Sequence, residues 1–216
     1  MRLRIYILCI WVFAIPAHLF SQNNNYQFSH LDITNGLSDN QVNCIYKDNK
    51  GFMWFGTTSG LNRYDGARFK IFKHNVKDPN SLVDNHVMNI SEGPGDKLWI
   101  FTHSSISIYD PTVERFANDV TAELLLLKIP ASPITRVVKD KQGKFWFATD
   151  KKGLYRHNPK NGKSVLYHTA QTSPVILHSN HVIDIVASQP NLLWLIYSDG
   201  VIEQLDIKAN RVLSRY

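Results

Sequence analysis

Four tryptophans, Trp54, Trp99, Trp146 and Trp194, follow one another at intervals of 45, 47 and 48 residues. A period in this range marks stacked supersecondary units, either propeller blades or solenoid turns. Other positions fall into register with the tryptophans. Twelve residues before each stands an apolar residue, Val42, Val87, Ile134 and Val182. Nine before come Ile45, Ile90, Val137 and Ile185, and seven or eight after come Leu61, Ile106, Leu154 and Val201. The fifth tryptophan, Trp11, lies outside this pattern.

The first unit shows what each period contains. Val42–Tyr46 is strand-like, Asp48-Asn49-Lys50-Gly51 is a turn, and Phe52–Thr57 is a second strand. Ser59-Gly60 turns into Leu61–Tyr64, and Asp65-Gly66 leads to Phe69–Phe72. Short apolar runs bounded by Asp, Asn and Gly are antiparallel hairpins. The third unit repeats the pattern from Asp140-Lys141-Gln142-Gly143, with one extra residue before Leu154. Phe52-Met53-Trp54-Phe55 and Phe145-Trp146-Phe147 are apolar on both strand faces, so each sheet needs cover on both sides, as stacked blades provide. The expected fold is all-β, a β-propeller of four-stranded antiparallel blades, four of them in an open ring. The expected units are 36–81, 82–129, 130–178 and 179–216 within a domain spanning 22–216, with 26–33 as an orphan closing strand. Val120–Ile129 is a helix-like insertion whose Leu124–Leu127 run could equally be strand, a choice that periodicity does not decide.

The start of the chain has a separate character. Arg2 and Arg4 precede an apolar run from Ile5 to Ile15, and a small residue, Ser21, precedes a polar segment. This is the pattern of a secretory signal peptide over residues 1–21. A membrane span needs roughly 20 apolar residues, and Pro16 and His18 interrupt this run. Cleavage would lower the formal net charge from +6 to +4 by removing Arg2 and Arg4. The remaining charges are scattered among both signs, which argues against a nucleic-acid footprint. Cys44 would be the only cysteine left, excluding an intramolecular disulfide and favouring an inert packed thiol.

Gly36-Leu37-Ser38-Asp39-Asn40-Gln41-Val42, then Asp48–Thr57, Gly60–Asp65 and Asp78–Val87, resemble the two-component regulator propeller repeat. Units two and four depart from it, with Phe101-Thr102 and Ile196-Tyr197 where the first unit has Gly56-Thr57. The resemblance implies a periplasmic sensor propeller of a Bacteroidetes-type hybrid two-component kinase that answers to oligosaccharides and forms a homodimer when full length. It also implies a histidine kinase and a membrane segment, neither of which is found up to Tyr216. The chain therefore reads as part of a sensor, with no catalytic site of its own and no cofactor. Alternatives are a protein-interaction or structural propeller and, less favoured, a propeller lyase or hydrolase.

Strand direction sorts the loops onto two faces. The turn at Ser59-Gly60 shares the near face with the connectors Lys73–Asp84, Asn118–Pro133 and Thr169–Ser179. Long loops on a rigid scaffold are where binding resides. Leading into the innermost strands are Asn40-Gln41, Asn85-His86, Ser132-Pro133 and Asn180-His181. Asn40, Gln41, Asn85, His86, Asn180 and His181 are the candidate ligand contacts, because amides and imidazoles both donate and accept hydrogen bonds. The competing role for the asparagines is to cap turns, and for Gln41 and the histidines to be a solvated rim. His178 and His181 have no third metal ligand near them in sequence, and Asp48–Gly51 lacks the carboxylates of a calcium loop.

Overall fold

The computed structural model describes residues 28–216, and Leu31–Tyr216 form the unit considered below. The expected signal peptide, residues 1–21, lies outside the described residues. Sixteen strands fold in sequence order into four antiparallel sheets of four. Blade one holds β1 (Val42–Lys47), β2 (Met53–Thr57), β3 (Gly60–Tyr64) and β4 (Phe69–Phe72). Blade two holds β5 (Val87–Glu92), β6 (Leu98–Thr102), β7 (Ile106–Asp110) and β8 (Arg115–Ala117). After α1 (Val120–Leu126), blade three holds β9 (Ile134–Lys139), β10 (Phe145–Thr149), β11 (Gly153–Asn158) and β12 (Lys163–Tyr167). Blade four holds β13 (Val182–Gln189), β14 (Leu192–Tyr197), β15 (Ile202–Asp206) and β16 (Arg211–Arg215).

The expected hairpins and turns are present, and Gly51 and Gly143 close the β1–β2 and β9–β10 turns with φ of 91° and 77°. The ambiguous insertion resolves as helix α1, whose N-cap Asp119 accepts from Ala122 N. Of the expected closing strand 26–33, Tyr26 and Gln27 lie outside the described residues, and Phe28–Asp32 form no strand. Ile33 instead begins a 3-10 turn, because Asp32 caps Thr34 N and Asn35 reaches back to Asp32 N. These local bonds give the backbone an alternative to a sheet ladder.

Each inner strand begins with a register shift, between Val42 and Cys44, Val87 and Asn89, Ile134 and Arg136, and Val182 and Asp184. A bulge re-aims the skipped side chain. Asn43 thereby donates to Val87 O at 2.8 Å and Thr135 to Val182 O at 2.8 Å, tying one inner strand to the next.

Three apolar cores lie between the sheets: Trp54 and Leu61 against Val87 and Ile90, Trp99 against Val137 and Phe147, and Trp146 against Val182 and Ile185. Among the described residues no core cluster, hydrogen bond or ion pair joins blade four to blade one. The exposures of equivalent residues show the same opening. Ile90, Val137 and Ile185 are 6%, 1% and 1% exposed, whereas Ile45, with no blade in front of it, is 59% exposed. At the other end Trp194 is only half-buried, while the three preceding tryptophans are buried. The four blades form an open arc.

A candidate ligand-binding face and its interrupted clasps

The loops of the near face are held by one set of backbone bonds repeated from blade to blade. Counting back from each tryptophan makes the set visible. Fourteen positions before it stand Asn40, Asn85, Ser132 and Asn180. Asn40 Oδ1 accepts from Ile33 N at 3.0 Å, Asn85 Oδ1 from His74 N at 2.7 Å, and Asn180 Oδ1 from Thr169 N at 3.0 Å. Each asparagine thus clasps the start of its own connector. The capping role weighed for these residues accounts for their oxygens.

One position earlier stand Asp39, Asp84, Ala131 and Ser179. The side-chain oxygens of Asp39, Asp84 and Ser179 accept from the N–H two residues on, at Gln41, His86 and His181. Blade three has Ala131 here, and its partner position is Pro133, which has no N–H to satisfy. Sixteen before the tryptophan, Ser38 N, Val83 N and His178 N donate to Asn62, Ser107 and Glu203 in the third strand. Blade three has Tyr155 at that place and Pro130 opposite, so again donor and acceptor disappear together. Both prolines are exposed, and each removes an N–H at a place where the acceptor present in the other blades is missing.

Gln41, His86 and His181 share one position at the near ends of the inner strands, as expected. Their surroundings differ. His86 stacks on His103 with centroids 5.7 Å apart. His181 Nε2 lies 2.9 Å from Asp150 Oδ1, out of line for a hydrogen bond, and that buried oxygen has no hydrogen-bond partner. No hydrogen bond or ring contact joins His86 to His181. His178 turns away to donate to Asp199 at 2.7 Å, so the two imidazoles of His178-Ser179-Asn180-His181 face different carboxylates. Asp39 accepts from Gln41 N and from the hydroxyls of Thr58 and Ser59, and these bonds hold its carboxyl down at about 2.

Sequence reasoning missed two features. One is the buried carboxylate Glu203, which accepts from the Tyr197 hydroxyl and from Arg215 Nε at 2.8 Å. Burial and this carboxylate push the Tyr197 hydroxyl far above its ordinary range. Tyr197 was visible only as a departure from the repeat. The other is a cavity of about 570 Å³ on the near face between blades two and three. It runs from the β6–β7 turn past α1 to the start of β9. Ser132, in the clasp position, lines it, and the buried Ser132 hydroxyl has no hydrogen-bond partner.

The fold and these repeated clasps define a β-propeller of four-stranded blades that presents its long connectors on one face. Residues 36–59 match the family described as Two component regulator propeller, the family that the first unit's motifs resemble. Histidine kinase P4 of Formosa agariphila is 38% identical over 68 residues, 32% of this chain and 5% of that protein. The extracellular domain of the putative hybrid two component system BT3049 from B. thetaiotaomicron superposes with a TM-score of 0.60 at 23% identity, covering 85% of this chain and 26% of that one. That of BT4673 gives a TM-score of 0.56 at 21% identity, covering 88% of this chain and 27% of that one. At these identities the structural likeness establishes the fold. The chain spans a small part of each relative. No helix among the described residues is long and apolar enough to cross a membrane.

Proposed function

We propose that this chain is the ligand-sensing propeller of an exported two-component regulator, acting in the periplasm and recognising an oligosaccharide or similarly polar ligand on its near face. The observation that carries the reading is the family repeat at 36–59, folded into a propeller that resembles extracellular domains of hybrid two-component systems. The near face supports it. The side chains of Gln41, His86 and His181 stand at equivalent positions of a rigid rim, where amide and imidazole groups suit hydroxyl-rich ligands. Signal output would fall to kinase segments of a longer protein, as in the relative named a histidine kinase.

Calorimetry of the chain against a glycan panel tests this. His86→Ala and His181→Ala should each weaken a bound saccharide about 5- to 150-fold, the equivalent of losing about 1–3 kcal/mol from one unpaired buried group. A confirmed saccharide held equally tightly by both variants would remove the rim from the reading. A parent chain that binds no saccharide but captures a protein would favour the interaction propeller.

A further inference from the structure

We infer that the cavity between blades two and three is a subsite for one neutral sugar residue, with Ser132 as a recognition group. This rests on the sensor reading above and locates part of its site.

The cavity exists because one clasp is interrupted. In the other three blades an asparagine holds the connector against the strand end, through Ile33 N, His74 N or Thr169 N. Before blade three the connector folds as α1 instead, and the clasp position carries the shorter Ser132. Its hydroxyl is buried and accepts or donates nothing among the described residues. Unpartnered buried polar groups cost about 1–3 kcal/mol and are rare enough to call for an explanation. Rotation of this short side chain toward the cavity would let a hydroxyl-bearing guest satisfy it.

The wall sets the chemistry of that guest. None of its ten residues is charged. Ser104, Ser105 and Thr121 add hydroxyls to the wall, and Ile106, Val120 and Pro133 supply an accessible apolar flank. Hydroxyls beside an apolar wall match a pyranose, which has polar edges and an apolar ring face. A carboxylate or sulfate would enter a site with no cation to meet it, which is strongly unfavourable on desolvation. The volume lies within the range of small-molecule sites, about 300–1,000 Å³.

Position links the subsite to the rim. Ser104 follows His103, whose ring stacks on His86. Pro133 follows Ser132, and its carbonyl accepts from Asp150 N at 2.9 Å, beside His181. A saccharide lying along the near face can therefore place one residue in the cavity and the next against the rim.

The test is calorimetric titration of the full chain with xylobiose, cellobiose, laminaribiose and mannobiose, with digalacturonic acid as the acidic counterpart. Thr121 is exposed at the cavity wall, so Thr121→Trp fills the space without entering a core. We expect at least one neutral disaccharide to bind, Thr121→Trp to weaken it by at least tenfold, and Ser132→Ala to weaken it about tenfold. His86→Ala is measured in parallel, and thermal unfolding of every variant confirms the fold. If Thr121→Trp proves unstable, Ser105→Trp replaces it. A disaccharide that binds parent and filled variant equally, yet is weakened by His86→Ala, overturns the subsite and leaves the sensor reading standing. Preference for digalacturonic acid also overturns it. Binding of none of these disaccharides overturns the subsite, while the wider glycan panel decides the saccharide reading on which it rests.

Discussion

The aspartate that opens the first hairpin turn does more than cap it. Asp48 accepts from Lys50 N and Phe52 N with one oxygen, and from Trp54 Nε1 at 2.8 Å with the other. Asp140 repeats this with Gln142 N, Lys144 N and Trp146 Nε1, and is itself 4% exposed. One carboxylate thus couples turn geometry to the placement of the core indole. Blade two breaks the rule. Gly93 stands in the aspartate position, the Trp99 indole nitrogen has no partner, and a Cβ on Gly93 would sit 2.3 Å from that ring. The ring has moved into the space an aspartate would need. Asp140→Ala should destabilise the protein by about 1–3 kcal/mol, because it strands a buried indole N–H. Urea denaturation measures this, and a loss under about 0.5 kcal/mol would show that the indole finds another acceptor.

At the scale of the element, the strands were legible because each blade is a set of short apolar runs separated by turns rich in Asp, Asn, Ser and Gly, and Val42, Val87, Ile134 and Val182 mark where each inner strand begins. The bulge one residue later was not legible. Asn43, Met88, Thr135 and Ile183 share no side-chain type, and only Asn43 and Thr135 use the shift to reach a carbonyl on the next blade. The near-face clasps were half legible. Asn40, Asn85 and Asn180 stood out at a common position, but only the structure shows which N–H groups they hold. Pro130 and Pro133 read as loop residues until their missing N–H groups are set against the missing acceptors at Tyr155 and Ala131. The cavity was out of reach because its walls come from a turn, a helix and a strand end distant in sequence. Equivalent positions also carry unequal weight, and this can be tested. Ile185→Ala should cost about 2–5 kcal/mol, as buried isoleucines do. Ile45→Ala should stay within about 0.5 kcal/mol, as exposed substitutions do. Chemical denaturation of the pair checks it, and an equally large loss at Ile45 would mean that another segment covers that face.

For the whole molecule, stability is a sum along the arc. Stacked repeats contribute an intrinsic term each and an interface term per neighbour. Blades two and three each have a core on both sides, whereas blades one and four each have a core on one. Links outside the cores follow the same order. Asn49 bonds Asp96 across the first interface, Lys139 pairs with Glu92 across the second, and Gln142 bonds Asn191 across the third. Opening an end blade therefore breaks one interface, and opening a middle blade breaks two. Local unfolding proceeds from the elements with fewest buried contacts. Native-state hydrogen exchange should accordingly find the amides of β6 and β10 the slowest, with those of β2 and β14 exchanging through openings of lower free energy. The prediction holds the strand position constant, since all four are second strands bonded on both edges. Only the number of neighbouring blades differs. Equal protection in all four strands would mean either that the arc opens as a single unit or that the faces carrying Ile45 and Trp194 are covered in solution, and exchange at two protein concentrations separates these.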